Sequence, residues 1–148
     1  VGLFIGFSLG LFIALLKENK LDKFYSNQEI ENYSKYPLID TLSINRIDKF
    51  TKSFEYISNV LSVNPEGKLG LLFIDEINPK ASKKIEECSL LLSKDRNVFI
   101  SDDINALHNC DNFIIFINFD LSTRKSFVQN INKLILKKKY IIGIISIK

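Results

Sequence analysis

The chain has no methionine, two cysteines, one histidine and a formal charge of only +3 over 148 residues. Each scarcity excludes something. An intact translation product starts with Met and this one starts with Val1, so the sequence reads as opening part-way into a longer protein. Cys88 and Cys110 stand at a spacing that matches no zinc or redox motif, which leaves unpaired thiols suited to a reducing compartment. The basic excess is too weak, and too evenly spread, to argue for a nucleic-acid partner. Its one cluster, Lys137 to Lys139, reads as a solvated helix end that could add attraction to an anionic lipid surface. No internal repeat or low-complexity tract is visible. The richness in Lys, Asn and Ile points to an AT-rich genome and has no bearing on mechanism.

The longest stretch without charge is the first sixteen residues, VGLFIGFSLGLFIALL. As a helix it covers roughly 24 Å, against about 30 Å of bilayer hydrocarbon. The expectation is a transmembrane helix over residues 1–19, truncated at its start. A core helix is the competing reading, and the lack of any polar face counts against it. A cleaved signal peptide would have left together with its apolar region. Gly2, Gly6 and Gly10, continued by Ala14, fall on one face, where small residues let a second helix approach closely; chance glycines in an apolar run give the same pattern. Lys17, Lys20 and Lys23 follow the span, which favours a cytoplasmic exit.

About 130 residues remain, enough for one domain with one modest core. Ser26 and Glu29 have the spacing of a capping box, so a short helix is expected from Asn27 to about Lys35, ended by Tyr36-Pro37. Leu38 to Ser43 reads as extended, closing a juxtamembrane linker over residues 20–45. Over 46–148 an α/β domain is expected. Asn45 caps a helix to Ser62 with the stripe Ile47, Phe50, Phe54, Ile57 and Leu61, and Asn64 to Gly67 turns. Strands are expected at Leu69–Ile74, Asn97–Ser101, Asn112–Asn118 and Tyr140–Ile147, with helices at Pro79–Ser93 and Ser122–Leu136. Strands apolar on both faces and separated by helices predict a small parallel sheet of about four strands, sandwiched by helices.

Ligands of such sheets sit at the carboxyl ends of strands. The segment after Ile74, Asp75 to Lys84, has no glycine with which to turn backbone N–H groups toward a phosphate, and it opens on two carboxylates. Asp102 and Asp103, after the next strand, either hold magnesium, as in a receiver, or cap a helix; Asp120 follows the third strand, and no lysine loop follows the last. His108 and Cys110 would need a third group and an oxyanion hole to act as a nucleophilic pair, so a buried Cys110 and a loop His108 are the plainer reading.

In its order of parts the chain resembles the C-terminal half of bacterial polysaccharide chain-length determinants, the Wzz-type polysaccharide co-polymerases, some of which are fused to a tyrosine kinase. SNQEIENYSKYPLIDTLS, residues 26–43, is similar to the linker after that family's second membrane helix. Leu69 to Ile74 resembles the strand leading into the kinase phosphate loop. Lys83 is the nearest counterpart of its lysine, flanked by Ser82 and Lys84 where the family has glycine and hydroxyl. VFISDDIN, residues 98–105, is similar to the second acidic motif, but only Asp103 matches, with Ser101 and Asn105 replacing the others. The third acidic motif is largely absent. Asn112 to Ile147 resembles the closing strand–helix–strand. Thr51 and Phe54 stand in the helix that carries the kinase's assembly arginines, and no tyrosine-rich tail is present.

The resemblance therefore implies a degenerate P-loop-like domain with no catalytic residues, no metal and no cofactor; Lys83 and Asp103 are the residual candidates for nucleotide contact. It implies a subunit of the bacterial inner membrane with its C-terminal domain in the cytoplasm. The expected partners are membrane lipid, further copies through the membrane helix, and the polysaccharide polymerase or export machinery. An active autokinase or ATPase, and a membrane-tethered receiver-like domain, are the alternatives.

Overall fold

The computed structural model describes residues 6, 8–14, 16, 22–62, 67–93 and 96–148. Its elements are α1 (Asn27–Tyr33), β1 (Leu38–Leu42), a 3-10 helix (Ile44–Lys49), α2 (Phe50–Ser62), β2 (Leu69–Ile74), α3 (Pro79–Leu92), β3 (Val98–Ser101), β4 (Asn112–Asn118), α4 (Arg124–Leu136) and β5 (Tyr140–Ile147). The strands form one five-stranded sheet in the order β1-β5-β4-β2-β3, and every pairing is parallel.

The burial pattern explains why the strand sequences are apolar on both faces. β2 and β4 are buried at every position, and β5 at every position after Tyr140. One face packs Leu69, Leu71, Phe73, Ile114 and Phe116 against α2 and α3, with Phe73 and Phe116 edge to face at 5.4 Å. The other packs Leu72, Ile74, Phe113, Ile115 and Ile117 against α1, α4 and the turn bearing Ile104 and Leu107. Full burial of each such side chain is worth roughly 1.5–3 kcal/mol. The links β1–α2–β2 and β2–α3–β3 move toward the β3 edge on one face, while β3–β4 and β4–α4–β5 return on the other. Opposite directions on opposite faces keep one crossover hand throughout.

The stretch expected as a linker supplies β1, a fifth strand in the sheet. Leu42 pairs with Ile147, and a bulge between Leu38 and Asp40 lets β1 pass close over Gly143. Phe24 and Ile30 are buried in the same core, so residues 22–45 pack as part of the α/β unit. The helix expected from Asn45 is instead two pieces. Ile44 N donates to Lys148 O and Lys148 N to Leu42 O, holding the chain in the ladder past β1. The 3-10 turn that follows contains Arg46 at φ −131°, ψ 47°, and regular helix starts only at Phe50. The buried stripe is Phe50, Phe54, Ile57 and Leu61, with Ile47 at its margin. α4 begins at Arg124, two residues later than expected, because Thr123 caps it.

Gly6, Ser8 to Ala14 and Leu16 are helical and exposed. A Cβ added at Gly6 or Gly10 would meet no described atom within 4 Å. Gly2 and the remainder of the expected span lie outside the described residues. Among the described residues no helix is long and apolar enough to cross a membrane.

Candidate functional site at the carboxyl end of the sheet

The chain leaves β2 toward β3 and leaves β4 toward β5, so the strand order reverses between β2 and β4. In open α/β sheets the crevice outside such a reversal is where ligands bind. Here it is filled by the chain's own polar groups. Ser122 Oγ donates to Ile74 O at 2.6 Å and accepts from Asn118 N at 2.8 Å. Asn118 Oδ1 accepts from Asn78 N at 3.1 Å. Asp75 Oδ2 accepts from Thr123 N at 2.8 Å and from Thr123 Oγ1 at 3.0 Å. Ser122 and Asn118 are buried. Asp75 and Asp120 both hold left-handed backbone, φ 58° and 64°, which lets each strand end turn sharply into this network.

Beside it lies an open cleft of ≈ 620 Å³ whose walls include Asp75, Glu76, Glu86 and Asp102. The start of α3 forms one side. Pro79 has no N–H to offer, Lys80 N is taken by Asn78 Oδ1 at 3.0 Å, and Ser82 N by Asn78 O. A triphosphate cradle needs free inward N–H groups and nearby positive charge, and this wall supplies carboxylates instead. Lys83 is exposed on α3 and does not line the cleft, although Ser82 does. Asp103 is not in the cleft either: its carboxylate accepts Asn105 N at 2.9 Å, while its N–H donates to Ser101 Oγ at 3.0 Å, so it caps the turn after β3. The structure thus does not bring Lys83 and Asp103 together at the strand ends. Among the described residues no group of three or more His, Cys, Asp and Glu is arranged to hold a metal.

Cys110 is buried, and burial, reinforced by Asp111 and opposed by Lys139 and Lys68, pushes its thiol up from the ordinary 9.0. A thiol held protonated is a poor nucleophile. His108 is exposed, with its ring Nδ1 3.0 Å from Asn105 O in its own turn.

The residues that sequence reading missed are those joining residues 22–25 to this end of the sheet. Phe24 N donates to Ser122 O, Asp120 N to Phe24 O, and Arg124 N to Asp22 O. Lys23 bridges Thr123. Phe24 is fully buried, edge to face with Tyr33 and Phe127. The Arg124 guanidinium stands 5.0 Å from the Tyr33 ring centre and 6.0 Å from that of Phe24, and pairs with Glu29 at 3.3 Å. Glu29 also accepts Tyr25 N at 2.9 Å. The available signal was the aromatic pair at 24–25 beside the capping box, but nothing local names Arg124 as its partner. A second clasp ties α1 to the sheet: Asn27 Nδ2, Thr41 Oγ1 and Ser146 Oγ close a ring with Asn27 Oδ1 at 2.7–2.9 Å.

The fold and site define a doubly wound parallel α/β protein whose switch-point crevice is internally hydrogen-bonded. Comparison of the chain with protein-family models, with curated proteins and with solved structures gives no match in any of the three.

Proposed function

We propose that this chain is part of a membrane-anchored, non-enzymatic polysaccharide co-polymerase subunit, which helps to set the chain length or export of a bacterial surface polysaccharide. Its α/β domain is a degenerate P-loop-like fold on the cytoplasmic side of the inner membrane, kept as a docking and assembly platform. The observation that carries the reading is the closed crevice: Asp75, Asn118 and Ser122 spend their hydrogen-bonding capacity on the protein itself at the place where a nucleotide would enter. Phosphoryl transfer relies on positioning and charge stabilisation, which the crevice between β2 and β4, walled by carboxylates, does not offer an incoming nucleotide. The clamp from Asp22 to Tyr25 supports the platform role, since it packs the residues nearest the apolar segment among the described part of the α/β unit against the start of α4.

Two measurements test the reading. Calorimetric titration of the full chain in detergent with ATP and magnesium should give no binding heat at millimolar nucleotide; tight binding would favour the autokinase or ATPase reading. Deletion of the gene should change the length or amount of surface polysaccharide, and an unchanged polymer would refute the assigned role.

A further inference from the structure

A second cavity opens at the same end of the molecule, on the α2 side of the β1 edge. It measures ≈ 610 Å³, and its polar wall includes Ser43, Asn45, Arg46, Lys49, Ser53 and Lys148. No Asp or Glu side chain lines it. The ion pairs among the described residues are Lys84–Glu87 and Arg124–Glu29, so none of the three cations around this cavity is paired with a described acidic side chain. The Ser43 hydroxyl, which could have capped the 3-10 helix, makes no such bond. The nearest acidic side chains in sequence are turned to other use or to water: Asp40 accepts Thr41 N at 2.7 Å, and Asp48 is exposed outside the wall.

The sheet is wholly parallel, so its carboxyl ends share one side of the molecule. Leu42 pairs with Ile147, Asn118 with Ile147, and Ile74 with Ile117, which puts the floor of the cavity level with the clamp on Asp22 to Tyr25. By contrast Lys137 to Lys139 lie beyond the far end of α4. We propose that the cavity around Arg46, Lys49 and Lys148 holds the phosphate of an anionic membrane lipid, fixing the α/β unit against the bilayer. The choice of a lipid phosphate rests on the anchoring read above, because that anchoring turns this end of the sheet toward the membrane. Fork-shaped Arg and point-charge Lys donors suit a phosphodiester, and a surface of anionic lipid attracts each cation placed near it.

The test uses the full chain in nanodiscs of phosphatidylcholine, with and without phosphatidylglycerol, and reads amide hydrogen exchange over residues 41–53. Phosphatidylglycerol should slow that exchange roughly fivefold or more, and Arg46→Glu with Lys49→Glu should abolish the effect; both side chains are exposed, so the fold tolerates the change. Equal exchange in the two discs would overturn the proposal while leaving the anchoring intact. Equal protection by millimolar inorganic phosphate in phosphatidylcholine discs would overturn the lipid assignment in favour of a free anion. Failure of the chain to enter either disc would overturn the anchoring, and the lipid assignment with it.

Discussion

Asp75 and Thr123, 48 residues apart, are bound twice: one carboxylate oxygen accepts both the backbone N–H and the hydroxyl of the threonine. The same hydroxyl accepts Ser126 N, so the carboxylate that ends β2 also fixes the first turn of α4. Replacing Asp75 by Ala removes a charge-assisted pair and leaves a non-polar Cβ residue at φ 58°. A loss of about 2–3 kcal/mol is expected in denaturant unfolding of the full chain in detergent. Asp75→Gly should cost less than Asp75→Ala, because glycine relieves the backbone. Equal stability of wild type and Asp75→Ala would mean that the crevice is closed by something else.

Gly143 sits where β1 crosses β5. An added Cβ would lie 2.6 Å from Ile39 Cγ1 and 2.7 Å from Pro37 O, and the backbone oxygen cannot swing aside. Gly143→Ala should therefore separate β1 from β5 and destabilise by roughly 1–3 kcal/mol. The amides of Ile144 and Lys148, which donate to Pro37 O and Leu42 O, should exchange faster. Unchanged protection at both would show that the sheet absorbs the methyl group.

Arg124 is a cation held beside two aromatic rings as well as the partner of Glu29. Arg124→Lys keeps the charge but loses the broad guanidinium beside the two rings and its reach to Glu29, and should cost about 1–2 kcal/mol. The cost should be concentrated in the clamp, with amide exchange rising at Phe24 and Tyr25 while the β2 and β4 amides stay protected. Uniform acceleration across the sheet would contradict a local clamp.

Cys110 gives the pH dependence its sign. The folded state holds the thiol proton more tightly than the unfolded chain, whose thiol titrates near the ordinary 9.0. Below that pH both states are protonated and the contribution is fully present. Above it the unfolded chain releases its proton first, so stability falls with rising pH until the folded thiol ionises. The difference in unfolding free energy between wild type and Cys110→Ala should shrink over this range, as followed by denaturant midpoints. A difference that stays constant with pH would remove the thiol from the account.

Fold class followed from the sequence because β2, β4, α2 and α4 carry their signal locally. LGLLFI and NFIIFIN are apolar at every position, and the helical stripe at Phe50, Phe54, Ile57 and Leu61 has the right period. β1 was legible as extended, but its place beside β5 was not: LIDTL alternates weakly, and only the approach over Gly143 fixes it as the fifth strand. The absence of glycine between Asp75 and Lys84 was visible in one dimension, whereas the closure of the crevice depends on pairs 40 and 48 residues apart.

Hydrophobic periodicity and turn chemistry are properties of neighbours in the chain, so the sequence by itself determined the elements and their parallel, two-sided burial. Which polar groups spend their hydrogen bonds on one another, which cations gather around one cavity, and which end of the sheet receives Asp22 to Tyr25 are properties of distant residues that the fold brings together. Those were decided only when the sheet closed in the order β1-β5-β4-β2-β3.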